Sequence, residues 1–224
     1  MTRVEGVLFD LDGTLLDSAP DLVGSLNWLR ENEGLAPLPV SRMSRHASKG
    51  AVGLLRAGMP EADADRFEAW RLKFLEHYAE NSFRQSRLFD GIPALLDFLG
   101  REKIPWGVVT NKIESLTFPI IEAANLTSVI SCVVCGDTLS ESKPHPAPVW
   151  LACDILGLRP EQVVLVGDDI RDVQAGNAAG TQTAAVYYGY GSEDLIGDEV
   201  RNSWRIHHPD DLMERIRPRP AGAK

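Results

Sequence analysis

Val4-Glu5-Gly6-Val7-Leu8-Phe9-Asp10-Leu11-Asp12-Gly13-Thr14 runs from an apolar stretch of strand length into two carboxylates and a glycine. An apolar run without alternation marks a strand buried on both faces, as in a parallel sheet. Similar runs recur at 106–110, 129–134, 163–167 and 183–187, separated by helix-like patterns. Strands alternating with helices make βαβ units, so the sequence predicts an α/β core built on a doubly wound parallel sheet.

Nearly a hundred residues separate the first run from the second, whereas later connections are about one helix long. Leu22, Leu26 and Leu29 form one helical stripe in that interval, and Phe67, Trp70, Phe74 and Tyr78 form another. Aromatic residues at this spacing read as core. The interval predicts a helical insert over 16–85, beginning near Asp17-Ser18-Ala19-Pro20 and ending near Phe89-Asp90-Gly91. The core then comprises 1–15 and 86–217. Pro93 starts a core helix with Leu95, Leu96 and Leu99, and Gly180 caps a helix over 172–179. Pro209-Asp210 opens a last helix, and 218–224, almost without apolar residues, reads as a disordered tail.

The 224 residues suit one α/β domain with an insert, and 44% apolar content is enough for a packed core. A net charge of −9, from 23 basic against 32 acidic residues, argues against nucleic acid as a partner. No stretch has the length of a membrane span and the first residues lack a secretory pattern, so a cytoplasmic protein, monomer or homodimer, is expected. Three cysteines fit a reducing compartment. Cys132 and Cys135 have C-x-x-C spacing, but Ile130–Cys135 reads as a buried strand, and residues three apart on a strand face opposite ways.

Ligands of open parallel sheets bind outside the carboxyl ends of the strands, so the residues after each run carry the chemistry. These are Asp10 and Asp12; Thr110-Asn111-Lys112; Ser142-Lys143-Pro144; and Gly167-Asp168-Asp169, with Asp172 beyond. One such acid would read as a helix cap. Four on two strand ends repel one another unless a cation joins them. Oxygen-only donors select a hard ion, and Mg²⁺ binds through a few carboxylates while keeping waters and a substrate phosphate. The set predicts a magnesium-assisted phosphoryl site.

These signatures, Asp10-x-Asp12-Gly13-Thr14, Thr110, Lys143-Pro144 and Gly167-Asp168-x-x-x-Asp172, resemble in type and order those of haloacid dehalogenase superfamily phosphatases. The resemblance covers essentially the whole chain and is strongest to phosphoglycolate phosphatases. Trp106-Gly-Val-Val-Thr-Asn-Lys112 and Tyr188-Gly-Tyr-Gly191 are also similar to N-acetylmuramic acid 6-phosphate phosphatases. It implies a Rossmann-like core, with the insert a helical cap of the first type (C1). It implies Asp10 as nucleophile and metal ligand, and Asp12 as acid and base that also ligates Mg²⁺ through its carbonyl. Gly13 permits the turn that points both carboxylates inward. Thr110 and the Asn111 N–H bind phosphoryl oxygens, Lys143 offsets charge, Asp168 ligates the metal, and Asp172 supports it. Dehalogenases of this fold lack the second aspartate, so Asp12 favours phosphate-ester hydrolysis.

Substrate choice is expected from the cap. Arg42-Met-Ser-Arg45-His46-Ala-Ser-Lys49-Gly50 is a basic cluster in an acidic chain, and Lys49-Gly50 is the candidate substrate-binding pair, with solvated loop as the competing reading. The implied partner is a small phosphorylated metabolite: phosphoglycolate or another carboxylate-bearing ester. The alternatives are N-acetylmuramic acid 6-phosphate, a sugar phosphomutase reaction, or a non-catalytic sensor of phosphorylated metabolites. His46 duplicates a role Asp12 fills, and His145 and Asp169 receive no role.

Overall fold

A computed structural model describes residues 4–217, so the predicted tail at 218–224 lies outside the described residues. β1 (Gly6–Phe9) leads to a two-residue strand, β2 (Leu16–Asp17), and to helices α1 (Ala19–Asn32), α2 (Val40–Met43), α3 (Gly50–Gly58) and α4 (Ala64–Asn81). A 3₁₀ turn, Ser44–Lys49, joins α2 to α3. β3 (Arg87–Leu88) pairs antiparallel with β2. Then come α5 (Ile92–Arg101), β4 (Trp106–Val109), α6 (Glu114–Ala123), β5 (Cys132–Val134) and α7 (Ala147–Leu156). The chain continues through β6 (Val163–Gly167), α8 (Ile170–Ala179), β7 (Gln182–Val186), β8 (Trp204–Ile206) and α9 (Pro209–Ile216).

Six strands form one parallel sheet in the order β5-β4-β1-β6-β7-β8. Every residue of β1, β4 and β6 is buried. Side chains alternate between faces. Val7 and Phe9 therefore join the larger core, with Leu95, Leu99 and Leu212, while Leu8 joins Val149 and Ala175 opposite. Helices on both faces explain why the strands read as unbroken apolar runs.

β1 sits at the centre, with β4 reached on one side and β6 on the other, which makes its carboxyl end the topological switch point. Phe9 is in register with Val166 and with Val108. That register delivers Asp10, Thr110 and Asp168 to one edge. The Asp10 N–H continues the ladder to the Val166 carbonyl at 2.8 Å.

The helical insert covers that edge. Leu22, Leu26 and Leu29 of α1 and Trp70, Phe74 and Tyr78 of α4 are buried, as their spacing requires. Where the insert begins and ends, Asp21 accepts hydrogen bonds from the N–H groups of Arg84, Gln85 and Ser86 and from Ser86 Oγ at 2.6 Å. A buried carboxylate with this many donors stitches the two connecting strands together.

The structure corrects several sequence expectations. β8 has no apolar run of its own beyond Trp204 and Ile206, and β2 and β3 are too short to carry a pattern. The strand expected over 129–134 covers only Cys132–Val134, because Val129 and Ile130 close a turn onto Leu126. Helix α8 starts at Ile170 instead of 172, with Asp169 as its N-cap. Cys132, Cys135 and Cys153 are free and buried, and burial pushes each thiol up, that of Cys132 to about 11. Cys135 lies just past β5.

Candidate active site

Asp10, Asp168 and Asp172 offer oxygen atoms within 4.8 Å of one another at the carboxyl ends of β1 and β6. Lys143, 4% exposed, donates from Nζ to Asp10 Oδ1 at 2.7 Å, Asp172 Oδ1 at 2.6 Å and the Val109 carbonyl at 2.6 Å. Burial alone would lower the lysine's proton affinity, but Asp10 and Asp172 override it and hold the ammonium charged. With all three carboxylates ionised, one ammonium leaves two negative charges unbalanced, the charge of one divalent cation. Asp168 registers this excess: burial, then Asp10 and Asp172, push its carboxyl up to about 8. Asp172 moves the same way, by burial and against the pull of Lys143. An all-oxygen donor set on an anionic core fits a hard divalent ion.

Glycines and backbone amides orient these groups. Gly13 has φ +86°, and a Cβ there would lie 2.3 Å from Asp168 Oδ2. Asp168 is further held by the N–H groups of Tyr190 and Gly191, both at 2.9 Å to Oδ2, and by Thr14 Oγ1 at 3.1 Å to Oδ1. A Cβ at Gly189 would strike the Gly13 carbonyl at 2.2 Å. The Tyr188–Gly191 loop therefore needs a glycine to press against the metal-ligand candidates.

The other sequence candidates fall at the same edge, with two changes of emphasis. Thr110 is buried, its hydroxyl accepting from the Lys112 N–H at 3.2 Å. The Asn111 side chain clamps the Lys143 backbone in both directions, at 2.8 and 3.0 Å, so its amide positions the lysine loop. Asp172 is at once a capping-box residue, accepting from the Asp169 N–H at 3.1 Å, and a partner of Lys143. Asp169 takes a structural role: it caps α8 and pairs with Arg171, which donates to the Ser48 carbonyl at 2.6 Å.

A cavity of about 270 Å³ opens above these groups. Its floor holds Asp10, Asp12, Thr110 and Lys143, and Lys49 and Gly50 reach its rim. The Lys49 ammonium pairs with Asp194 at 2.9 Å. Arg42 and Arg45 face a separate depression beside Tyr188 and Glu193, so the basic cluster does not act as one patch. His46 is partly buried and held below its usual range, burial being the main cause. His145 accepts from the Ala147 N–H ahead of α7.

Lys112 and Tyr78 emerge only from the tertiary structure. The Lys112 ammonium reaches Asp12 at 3.0 Å and donates to the Tyr78 hydroxyl at 2.8 Å, and Ser18 Oγ donates to Asp12 Oδ1 at 2.6 Å. Lys112 stood next to the Thr110 signature, and Tyr78 belonged to a stripe read only as core. No local pattern pairs residues 12, 78 and 112.

Residues 7–186 match the sequence model of the family described as haloacid dehalogenase-like hydrolase. The chain is 41% identical over 217 residues to an N-acetylmuramic acid 6-phosphate phosphatase of Pseudomonas aeruginosa, covering 95% of this chain and 94% of the relative. It is 38% identical over 212 residues to a phosphoglycolate phosphatase of Xanthomonas campestris, covering 93% and 94%. A crystal structure of a predicted phosphoglycolate phosphatase from Haemophilus somnus superposes with a TM-score of 0.83 at 29% identity, covering 96% of this chain and 98% of that one. With four signatures on one sheet edge and a family match over residues 7–186, the chain belongs to the haloacid dehalogenase-like hydrolases.

Proposed function

We propose that this haloacid dehalogenase-like phosphatase hydrolyses small carboxylate-bearing phosphomonoesters, phosphoglycolate first among them, with Mg²⁺ and through an aspartyl-phosphate on Asp10. One observation carries the reading: Asp10, Asp168 and Asp172 converge at the sheet's switch point, where Lys143 pairs with Asp10 and Asp172 and, with all three carboxylates ionised, two negative charges stay in excess. Asp10, the Asp12 carbonyl and Asp168 would hold the ion, with Asp172 supporting through Lys143 and the Asp169 N–H. Mg²⁺ when bound supplies charge neutralisation between the nucleophile and the phosphoryl oxygens.

Asp10 attacks phosphorus in line, and the bond to the leaving oxygen breaks. Asp12 gives that oxygen its proton, then takes one from the water that cleaves the acyl phosphate. Lys143 and the Thr110 hydroxyl face the equatorial oxygens, where transition-state charge collects. The insert, residues 16–85, acts as the cap that keeps bulk water away during transfer.

A second reading, N-acetylmuramic acid 6-phosphate as substrate, draws support from α4. Arg71, Phe74, Leu75 and Tyr78 lie on one face of that helix and line the cavity. Arg71 stands seven residues from Tyr78, about 10 Å along the helix axis. Arg71 is held by Glu68 at 2.7 and 2.8 Å, so a carboxylate arriving there competes with that pair, and the apolar wall of Phe74, Leu75 and Tyr78 is what suits a larger body.

The test is phosphate release by the purified protein across a panel holding both esters and carboxylate-free sugar phosphates, with Mg²⁺ and after chelation. The expected result is Mg²⁺-dependent release that Asp10→Asn reduces to background. Full activity in Asp10→Asn would sink the mechanism, and preference for a carboxylate-free ester would overturn the substrate class.

A further inference from the structure

The Lys112 side chain is only 7% exposed, yet the proposed reaction gives it no task. Its ammonium lies 3.0 Å from both Oδ1 and Oδ2 of Asp12 and donates to the Tyr78 hydroxyl at 2.8 Å. Asp12 sits in the loop after β1, Lys112 in the loop after β4, and Tyr78 on the insert helix α4. A single ammonium thus spans both halves of the core edge and the helix above it.

The lysine's backbone is itself pinned. Its N–H donates to Thr110 Oγ1 at 3.2 Å, and its carbonyl accepts from the Gly136 N–H at 2.9 Å and from Thr117 Oγ1 at 3.3 Å. Ser18 Oγ, at the start of the insert, donates to Asp12 Oδ1 at 2.6 Å. The carboxylate is therefore gripped at Oδ1 from the insert and astride both oxygens from a fixed point of the core. An unconstrained aspartate samples several rotamers, and misplacing a catalytic group by about 1 Å costs on the order of 10²-fold in rate.

We propose that Lys112 is a positioning residue for Asp12, holding its carboxylate in one orientation and coupling that orientation to the seating of α4 through Tyr78. This rests on the reading of Asp12 as acid and base. It also explains why α4 ends its cavity face on a tyrosine: a phenylalanine would fill the same space without reaching the ammonium.

The experiment compares kcat/KM for an alkyl phosphomonoester, whose alkoxide must be protonated as it leaves, with that for p-nitrophenyl phosphate, whose phenolate leaves unaided. The ratio kcat/KM reports only steps up to loss of the alcohol, so the later hydrolysis drops out. Asp12→Asn sets the scale with a selective loss on the alkyl ester. Lys112→Met is expected to lose at least about tenfold more on the alkyl ester than on p-nitrophenyl phosphate, with kcat falling more than KM rises. Tyr78→Phe, which keeps the charge pair, should show the same selectivity by a smaller factor, and it carries the test if Lys112→Met does not fold.

Equal losses on both substrates in Tyr78→Phe and in any folded Lys112→Met, or a rise in KM alone, would overturn the inference and leave the acid role of Asp12 standing. Equal losses in Asp12→Asn would remove the acid role and this inference together.

Discussion

Single residues decide whether the carboxylates converge, and Gly13 is the sharpest case. Its φ of +86° lies in the left-handed region, where a side chain costs about 1–3 kcal/mol. Its missing Cβ is also the space Asp168 Oδ2 occupies, since the two would approach to 2.3 Å. Strain alone would lower Tm by roughly 5 °C in a chain of this size. Gly13→Ala should therefore fold with a modestly lower Tm but bind Mg²⁺ weakly, because Asp168 must move. Calorimetric titration of Mg²⁺ alongside thermal unfolding checks this, and wild-type affinity in the variant would refute the packing argument. The basic residues show the opposite lesson: Lys49 lines the cavity but also pairs with Asp194, so charge in a stretch of sequence does not by itself locate a free cation.

At the level of elements, the insert is joined to the core by the β2–β3 ribbon and by Asp21. Asp21 lies in the first turn of α1, and its carboxylate satisfies three backbone N–H groups of the returning segment. Hydrogen bonds to a charged group contribute more than neutral ones, and leaving buried donors unmade costs more again. Asp21→Ala should lose about 3 kcal/mol of stability, measured by urea unfolding, while Asp21→Asn should lose less. A loss below about 1 kcal/mol in Asp21→Ala would mean that water or relaxation satisfies those amides. The ribbon was invisible in the sequence because two residues per strand show no period, and nothing distinguishes Asp21 from any acid that the helix dipole favours in a first turn.

On the scale of the whole molecule, the acidic balance has its counterpart in the site. Asp12 is paired with Lys112 and Asp169 with Arg171, which leaves Asp10, Asp168 and Asp172 around Lys143 as the uncompensated group. A divalent ion that binds only the folded state stabilises it by about 2.7 kcal/mol at a hundredfold excess over Kd. Chelator-treated protein should accordingly gain roughly 5–10 °C in Tm on adding saturating Mg²⁺. Asp168→Asn should abolish that gain, because it removes one of the three oxygen donors that would hold the ion. An unchanged Tm on adding Mg²⁺ to the wild type would argue against a metal at this cluster. Among the described residues no helix is long and apolar enough to cross a membrane.

The sequence by itself determined the layered fold, because buried parallel strands must be apolar throughout and their period survives in one dimension. It also pointed to Asp10, Asp12, Thr110 and Asp168 as neighbours at one edge, since the residues that follow the strands of such a sheet meet there, whereas Lys143, in the long loop after β5, and Asp172, inside α8, were singled out by their likeness to family signatures. Tertiary structure alone decided which charges remain free. Lys49 goes to Asp194, Arg171 to Asp169 and the Ser48 carbonyl, and Lys112 to Asp12 and Tyr78. Most of these pairings depend on distances between segments a hundred or more residues apart, and those distances exist only once β4 and β6 flank β1 and the insert is folded over the sheet edge.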